Sequence, residues 1–132
     1  MNLLPQNIKC FKDIRGTLTP LTDLPFHIKR VFYIQDIPQG SIRGDHAHIT
    51  TKQVLICIKG TVEVMLHDGK TEAKFILTNN QSIFIPEMIW DTQKYLDPDT
   101  IVLVLCSTDY KKDDYIYSFK QFLDLKKEVE LI

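Results

Sequence analysis

The strongest constraint on this chain is a succession of short β-rich runs broken by turn residues. "KRVFYIQ" (29–35), "KQVLICIK" (52–59), "TVEVMLH" (61–67), "TEAKFIL" (71–77), "SIFIP" (82–86) and "TIVLVLCS" (100–107) concentrate Val, Ile, Phe and Tyr. Such side chains suit a pleated, half-buried surface. Asp68-Gly69 predicts a hairpin turn, because both residues tolerate positive φ. Pro38, Gly40 and Gly44 predict that 36–45 stays out of regular pairing, and Pro86 and Pro98 punctuate the later runs. In 61–67, Val62, Val64 and Leu66 share one face, with Thr61, Glu63, Met65 and His67 on the other. "VLICI" is apolar on both faces, the pattern of a strand sandwiched inside a protein.

The tail changes period. In "DDYIYSFKQFLDLKKEVEL", Ile116, Phe119, Phe122 and Leu123 recur at helical spacing. Asp113 and Asp114 stand ahead of them and Lys126 and Lys127 near the end, both favourable to a helix dipole. Strands followed by one helix predict an all-β fold, an antiparallel sandwich or barrel with a C-terminal helix. With 132 residues and no linker, repeat or low-complexity segment, one domain over 1–132 is expected.

Composition narrows the function classes. The net charge is -1, with basic residues scattered among acids, which argues against a nucleic-acid or membrane surface built on bulk charge. A local pocket for an anionic ligand stays open. No apolar run approaches the roughly 18 residues of a membrane span. "MNLLPQNIKC" lacks the basic start and long apolar stretch of a secretory signal, so the expected location is cytoplasmic. Cys10, Cys57 and Cys106 form no CxxC pair and read as small hydrophobes in a reducing compartment.

Chemistry concentrates in "RGDHAHITTKQVL" (43–55). If 45–49 is extended, His46 and His48 point to one face, with Cα atoms about 6.6 Å apart. Gly40 precedes His46 by six residues, Gln53 follows His48 by five, and Gly60 follows seven later. This spacing resembles the first signature of the cupin superfamily, with Gln53 where a glutamate is usual. In the second signature region, "NNQSIFIPEMIWDT", Pro86 is in place, but Met88 stands at the glycine position and Asp91 at the histidine position. The resemblance implies a jelly-roll sandwich whose metal ligand set is damaged twice. His46, His48 and Asp91 would make a two-His-one-carboxylate set of the kind that holds ferrous iron. The competing readings are a packing pair and a metal-free acid–base pair, and the last is the expectation: no metal and no cofactor.

The wider pattern is more specific. "RGDHAH" before "KQVLICIKG", with "IKRVFYI" upstream and "DYIYSFKQFL" downstream, resembles the sugar-nucleotide 3,4-ketoisomerases from about 13–18 to 119–123. A more distant likeness is to the dTDP-sugar 3,5-epimerases, which share the arginine-glycine-x-histidine order. The resemblance implies that dTDP-4-keto-6-deoxyglucose is the substrate and that its carbonyl moves from C4 to C3 on the way to 3-amino-3,6-dideoxy sugars. It implies His46 as base and His48 as partner, donating to the reacting oxygens or returning the proton, an assignment that is reversible between the two. A histidine, with a reference pKa of about 6.5, suits proton transfer near neutral pH.

Arg43 is the first candidate for the diphosphate, placed in a loop at the pocket entrance, because guanidinium forks bind phosphate oxygens bidentately. Arg30 and Tyr33 are further candidates for phosphate and sugar contacts, with Tyr33 equally suited to the core. Gln53 would face the pocket and hydrogen-bond the sugar. Trp90, the single tryptophan, is expected to be a packing residue, with a pocket wall in contact with substrate as the alternative, and Asp91 beside it is a further candidate for the substrate pocket. His27 and His67 read as structural or exposed. Arg15, in "DIRGTL", resembles the branch that gives the galacto product, although Asp91 matches neither branch. The relatives are homodimers that exchange N-terminal strands, so a partner subunit can complete the pocket. The competing readings of function are a metal-dependent cupin enzyme and a cupin that binds a sugar nucleotide without transforming it.

Overall fold

The structure is a computed structural model that describes residues 1–131. Short N-terminal strands β1 (Gln6–Asn7), β2 (Phe11–Asp13) and β3 (Gly16–Leu18) are followed by β4 (Arg30–Ile34), β5 (Ile42–His48), β6 (Gln53–Lys59) and β7 (Val62–His67). Then come β8 (Glu72–Leu77), β9 (Gln81–Ile85), β10 (Trp90–Tyr95), β11 (Ile101–Cys106), the two-residue β12 (Tyr115–Ile116) and helix α1 (Phe119–Glu130). Two five-stranded sheets, ordered β1-β9-β6-β11-β4 and β12-β5-β10-β7-β8, carry the fold, and β2 and β3 form a separate hairpin. All pairings are antiparallel. This is the antiparallel sandwich with a C-terminal helix that the strand pattern predicted, and the jelly-roll class that the resemblance implied. Among the described residues no helix is long and apolar enough to cross a membrane.

Period-2 alternation builds the core. Val62, Val64 and Leu66 are fully buried and meet Leu55, Cys57, Ile83, Val102 and Val104 in one cluster. β6 is buried on both faces, as its unbroken apolar run required. Leu55 and Cys57 point into that cluster, while Val54 and Ile56 join a second one with Leu105, against which Ile8, Leu21, Leu24, Phe26 and Ile28 pack. The N-terminal segment therefore covers the outer face of the first sheet.

Three local expectations change. The stretch predicted to avoid pairing enters the second sheet at Ile42, so Arg43 and Gly44 are strand residues and not loop residues. A bulge makes this possible. Gly44 (φ 79) and Asp45 (φ 60) are both left-handed, and the register jumps so that Asp91 opposes His46 while Thr92 opposes Gly44. The Asp68-Gly69 connection is a turn over 68–71 in which only Gly69 is left-handed, and the Asp68 carboxylate accepts from the Lys70 and Thr71 amides. The tail is helical only from Phe119. Asp113 and Asp114 lie in a short 3-10 turn, and Ile116 is a buried strand residue. The helix N-cap is Ser118, whose Oγ accepts from the Gln121 amide at 3.2 Å, a contact worth about 1 kcal/mol.

Candidate active site

A cavity of about 420 Å³ is lined from both sheets, by residues of β4, β6 and β11 on one side and of β5, β10 and β12 on the other. Arg30, Arg43, His46, Gln53, Tyr115 and Tyr117 are among its walls, and no carboxylate among the described residues lines it. The strand conformation of 46–48, past the bulge, puts both imidazoles on one face, with ring centroids 5.0 Å apart and planes nearly perpendicular. The two histidines are nonetheless unequal. His46 borders the cavity, and its side chain keeps 16% of its exposure. His48 is buried behind Tyr115, whose ring centroid lies 4.4 Å from its own.

Asp114 defines the state of His48. Its carboxylate accepts from the Thr50 amide (2.8 Å) and hydroxyl (2.7 Å) and from the Thr51 amide (3.1 Å) and hydroxyl (2.6 Å), with His48 Nδ1 at 3.3 Å. Burial alone would raise this carboxyl; the hydrogen bonds from Thr51 and Thr50 outweigh it and hold the group below the usual carboxylate range. An ionised carboxylate only accepts, so His48 carries its proton on Nδ1 and presents a lone pair at Nε2. That Nε2 is buried and has no hydrogen-bond partner. Burial, and then the neighbouring His46, push the His48 pKa down to about 4 against the pull of Asp114. His48 is therefore neutral near pH 7. In this tautomer the unpartnered Nε2 is an acceptor.

A pH dependence follows from this shift. The folded pKa of His48 is about 4 against a reference of 6.5, so the unfolded chain binds the proton first. Stability is full above about pH 6.5 and falls as pH drops toward 4, by on the order of 3 kcal/mol from this group. Urea unfolding at pH 7, 5.5 and 4.5 measures it. His48→Asn should flatten the dependence, and an equally steep fall in that variant would assign it to other groups.

The remaining sequence candidates divide. Arg30 stacks over Phe32 (4.6 Å) and Tyr110 (5.0 Å), with Nη1 3.5 Å from the Tyr115 hydroxyl. It and Arg43 bring two guanidinium groups to the cavity. Gln53 reaches the wall from β6, and its Nε2 donates to Cys106 Sγ at 3.5 Å. Tyr33 only edges the rim. It alternates with the inward Phe32 and Ile34, and it is 64% exposed on the outer face. Trp90 is not a pocket wall. It is buried between Phe119 and Phe122, where it docks α1. Asp91 is buried behind His46 and does not line the cavity. Arg15 lies on the exposed β2–β3 hairpin, paired with Asp13 at 2.6 Å and away from the cavity of its own chain. No three His, Cys, Asp or Glu side chains converge as a metal-ion set among the described residues.

The sequence reading missed Tyr110, Tyr115, Tyr117 and Asp114. Tyr115 and Tyr117 stack with planes 9° apart, and Tyr115 lies 5.2 Å from the His46 ring. The signal was the period-2 pattern of "DYIYSF", in which both tyrosines share a face opposite Ile116.

His46, two arginines and a tyrosine wall thus meet in one cavity between the sheets, with His48 packed behind them. The family described as "FdtA: WxcM-like, C-terminal" matches residues 1–127, and the chain belongs to it. A curated relative, the TDP-4-oxo-6-deoxy-alpha-D-glucose-3,4-oxoisomerase of Aneurinibacillus thermoaerophilus, is 33% identical over 92% of this chain and 95% of its own length. The TDP-fucose-3,4-ketoisomerase of Campylobacter jejuni superposes with a TM-score of 0.88 at 37% identity, over 98% of this chain and 99% of that one. A histidine-to-asparagine variant of the 3,4-ketoisomerase of Thermoanaerobacterium thermosaccharolyticum, solved with TDP-4-keto-6-deoxyglucose, superposes at 0.90 with 31% identity, over 96% and 95% of the two chains. The protein is a sugar 3,4-ketoisomerase.

Proposed function

We propose that this enzyme acts as one cupin domain over 1–132 and converts dTDP-4-keto-6-deoxyglucose to the dTDP-3-keto-6-deoxyhexose through an enediol, without a metal ion. The observation that carries this reading is His46 on the wall of a cavity with two guanidinium groups and no lining carboxylate. The ketone acidifies the C3 proton, and His46 takes it and returns a proton to C4. The oxygens must also exchange: O3 loses its proton and O4 gains one. No electrons leave the sugar, so neither nicotinamide nor flavin is required. The neutral His48, with a free Nε2 behind His46, suits the oxygen proton. Arg43 and Arg30 bind the diphosphate, and Gln53 holds a sugar hydroxyl.

The chain works in the cytoplasm as a homodimer with exchanged N-terminal strands. Leu4, Phe11, Ile14 and Leu18 are exposed apolar residues of that segment, and a groove of about 650 Å³ lies between it and Val54, Ile56 and Phe84. Such pairing would carry Arg15 to the partner's pocket, where it favours the galacto product.

Incubation with dTDP-4-keto-6-deoxyglucose in deuterium oxide, followed by NMR, tests the reaction. The expected product has its carbonyl at C3 and deuterium at C4, because the His46 side chain keeps 16% of its exposure and so meets water. Unchanged substrate that binds would leave a non-catalytic cupin. A fully protonated C4 would mean shielded transfer by one base or a hydride mechanism, and the latter would remove the role of His46. Activity lost to a chelator and restored by a transition metal would overturn the metal-free reading.

A further inference from the structure

His46 and Asp91 oppose each other in the β5–β10 register. Asp91 Oδ1 lies 3.8 Å from His46 Nε2, and Oδ2 accepts from Gln93 Nε2 at 2.7 Å. Tyr95 in turn donates its hydroxyl to Gln93 Oε1 at 3.0 Å. Asp91, Gln93 and Tyr95 are all buried, and as alternate residues of β10 they share one face. The backbone of β5 closes over them. A Cβ at Gly44 would stand 3.2 Å from the Asp91 carbonyl, 3.4 Å from Gln93 Nε2 and 3.5 Å from Asp91 Oδ1. A left-handed glycine is what lets the strand come this near.

A carboxyl buried to this degree is costly to ionise unless a cation faces it. Burial raises Asp91 above the ordinary carboxylate range, by more than His46, and then Gln93, pull it down. The other charged or titratable neighbours of His46 are His48 and Asp45 on its own strand, Tyr115 on β12, Tyr117 just beyond, and the cavity guanidinium groups of Arg30 and Arg43. Both guanidinium groups oppose a further positive charge in the cavity. Asp91 is the carboxylate aimed at the imidazole.

We propose that Asp91 is a positioning residue that holds the counter-charge for His46, so that the imidazole can take a proton from substrate in a cavity already lined by two cations. This rests on His46 being the base. No bond to Asp91 forms or breaks. The C3 proton goes to His46, and the ionised carboxylate stabilises the imidazolium until a proton returns to C4.

Asp91→Asn removes the charge while keeping the volume and an oxygen for Gln93. The expected result is turnover lowered by about tenfold or more, KM little changed, and the acidic limb of the kcat profile moved to lower pH by about one unit. Asp91→Glu should retain the limb. A merely structural Asp91 would leave the limb in place, and that outcome, or near-wild-type turnover in Asp91→Asn, overturns the proposal. If Asp91→Asn does not fold, carbon-13 NMR of the Asp91 carboxyl decides. At neutral pH the signal should move toward the protonated position in His46→Asn relative to the wild type. A carboxyl that stays ionised in both overturns the pairing. Because this readout needs no turnover, a wild type that leaves the substrate unchanged overturns the ketoisomerase mechanism separately.

Discussion

His46→Asn is expected to lower kcat by about 10²–10⁴-fold, the usual cost of removing a general base. Asparagine has a similar reach but cannot hold a proton. The fold should survive, because the His46 side chain makes no hydrogen bond among the described residues and borders the cavity. The measurement is kcat with dTDP-4-keto-6-deoxyglucose beside a thermal melt. Folded protein with near-wild-type turnover would place the base elsewhere, with His48 next in line. His48→Asn should be impaired by a smaller factor, since its nitrogen sits behind Tyr115.

Asp114→Ala should produce the largest loss of stability, on the order of 3 kcal/mol. The carboxylate is 6% exposed and accepts from two amides and two hydroxyls of Thr50 and Thr51. Its removal strands two part-buried or buried amides, unties β12 from the end of β5, and frees His48 to change tautomer. Turnover should fall as well, because Tyr115 on β12 forms part of the cavity wall. Urea unfolding at pH 7 measures the first effect. A loss under about 1 kcal/mol would show that the threonines find other partners, and that β12 is held by the packing of Ile116 and Phe122 instead.

The sequence errors share a cause. Residues 36–45 read as loop because glycine and proline usually end strands, but Gly44 here permits a bulge inside one. The alternation of "DYIYSF" was hidden by the helical period that begins at Phe119, so Tyr115 was lost to the helix and Asp114 read as a helix-dipole residue. Trp90 and Asp91 are adjacent in a strand, which sends them to opposite faces: one packs against α1, and the other lies under His46.

What the sequence determined by itself is what local spacing can encode. Period-2 runs specified a sandwich, the unbroken run in β6 specified a strand covered on both sides, and the two-residue spacing of His46 and His48 placed both imidazoles on one face. The resemblance carried by "RGDHAH" and "KQVL" pointed to the sugar ketoisomerases. Tertiary structure alone decided which histidine meets the cavity, which tautomer His48 adopts, and which acid stands behind each. Asp114 lies 66 residues from His48, and Asp91 reaches His46 only through the register of β5 on β10. Protonation state depends on burial and on partners brought together by folding, and neither is written in the spacing of residues along the chain.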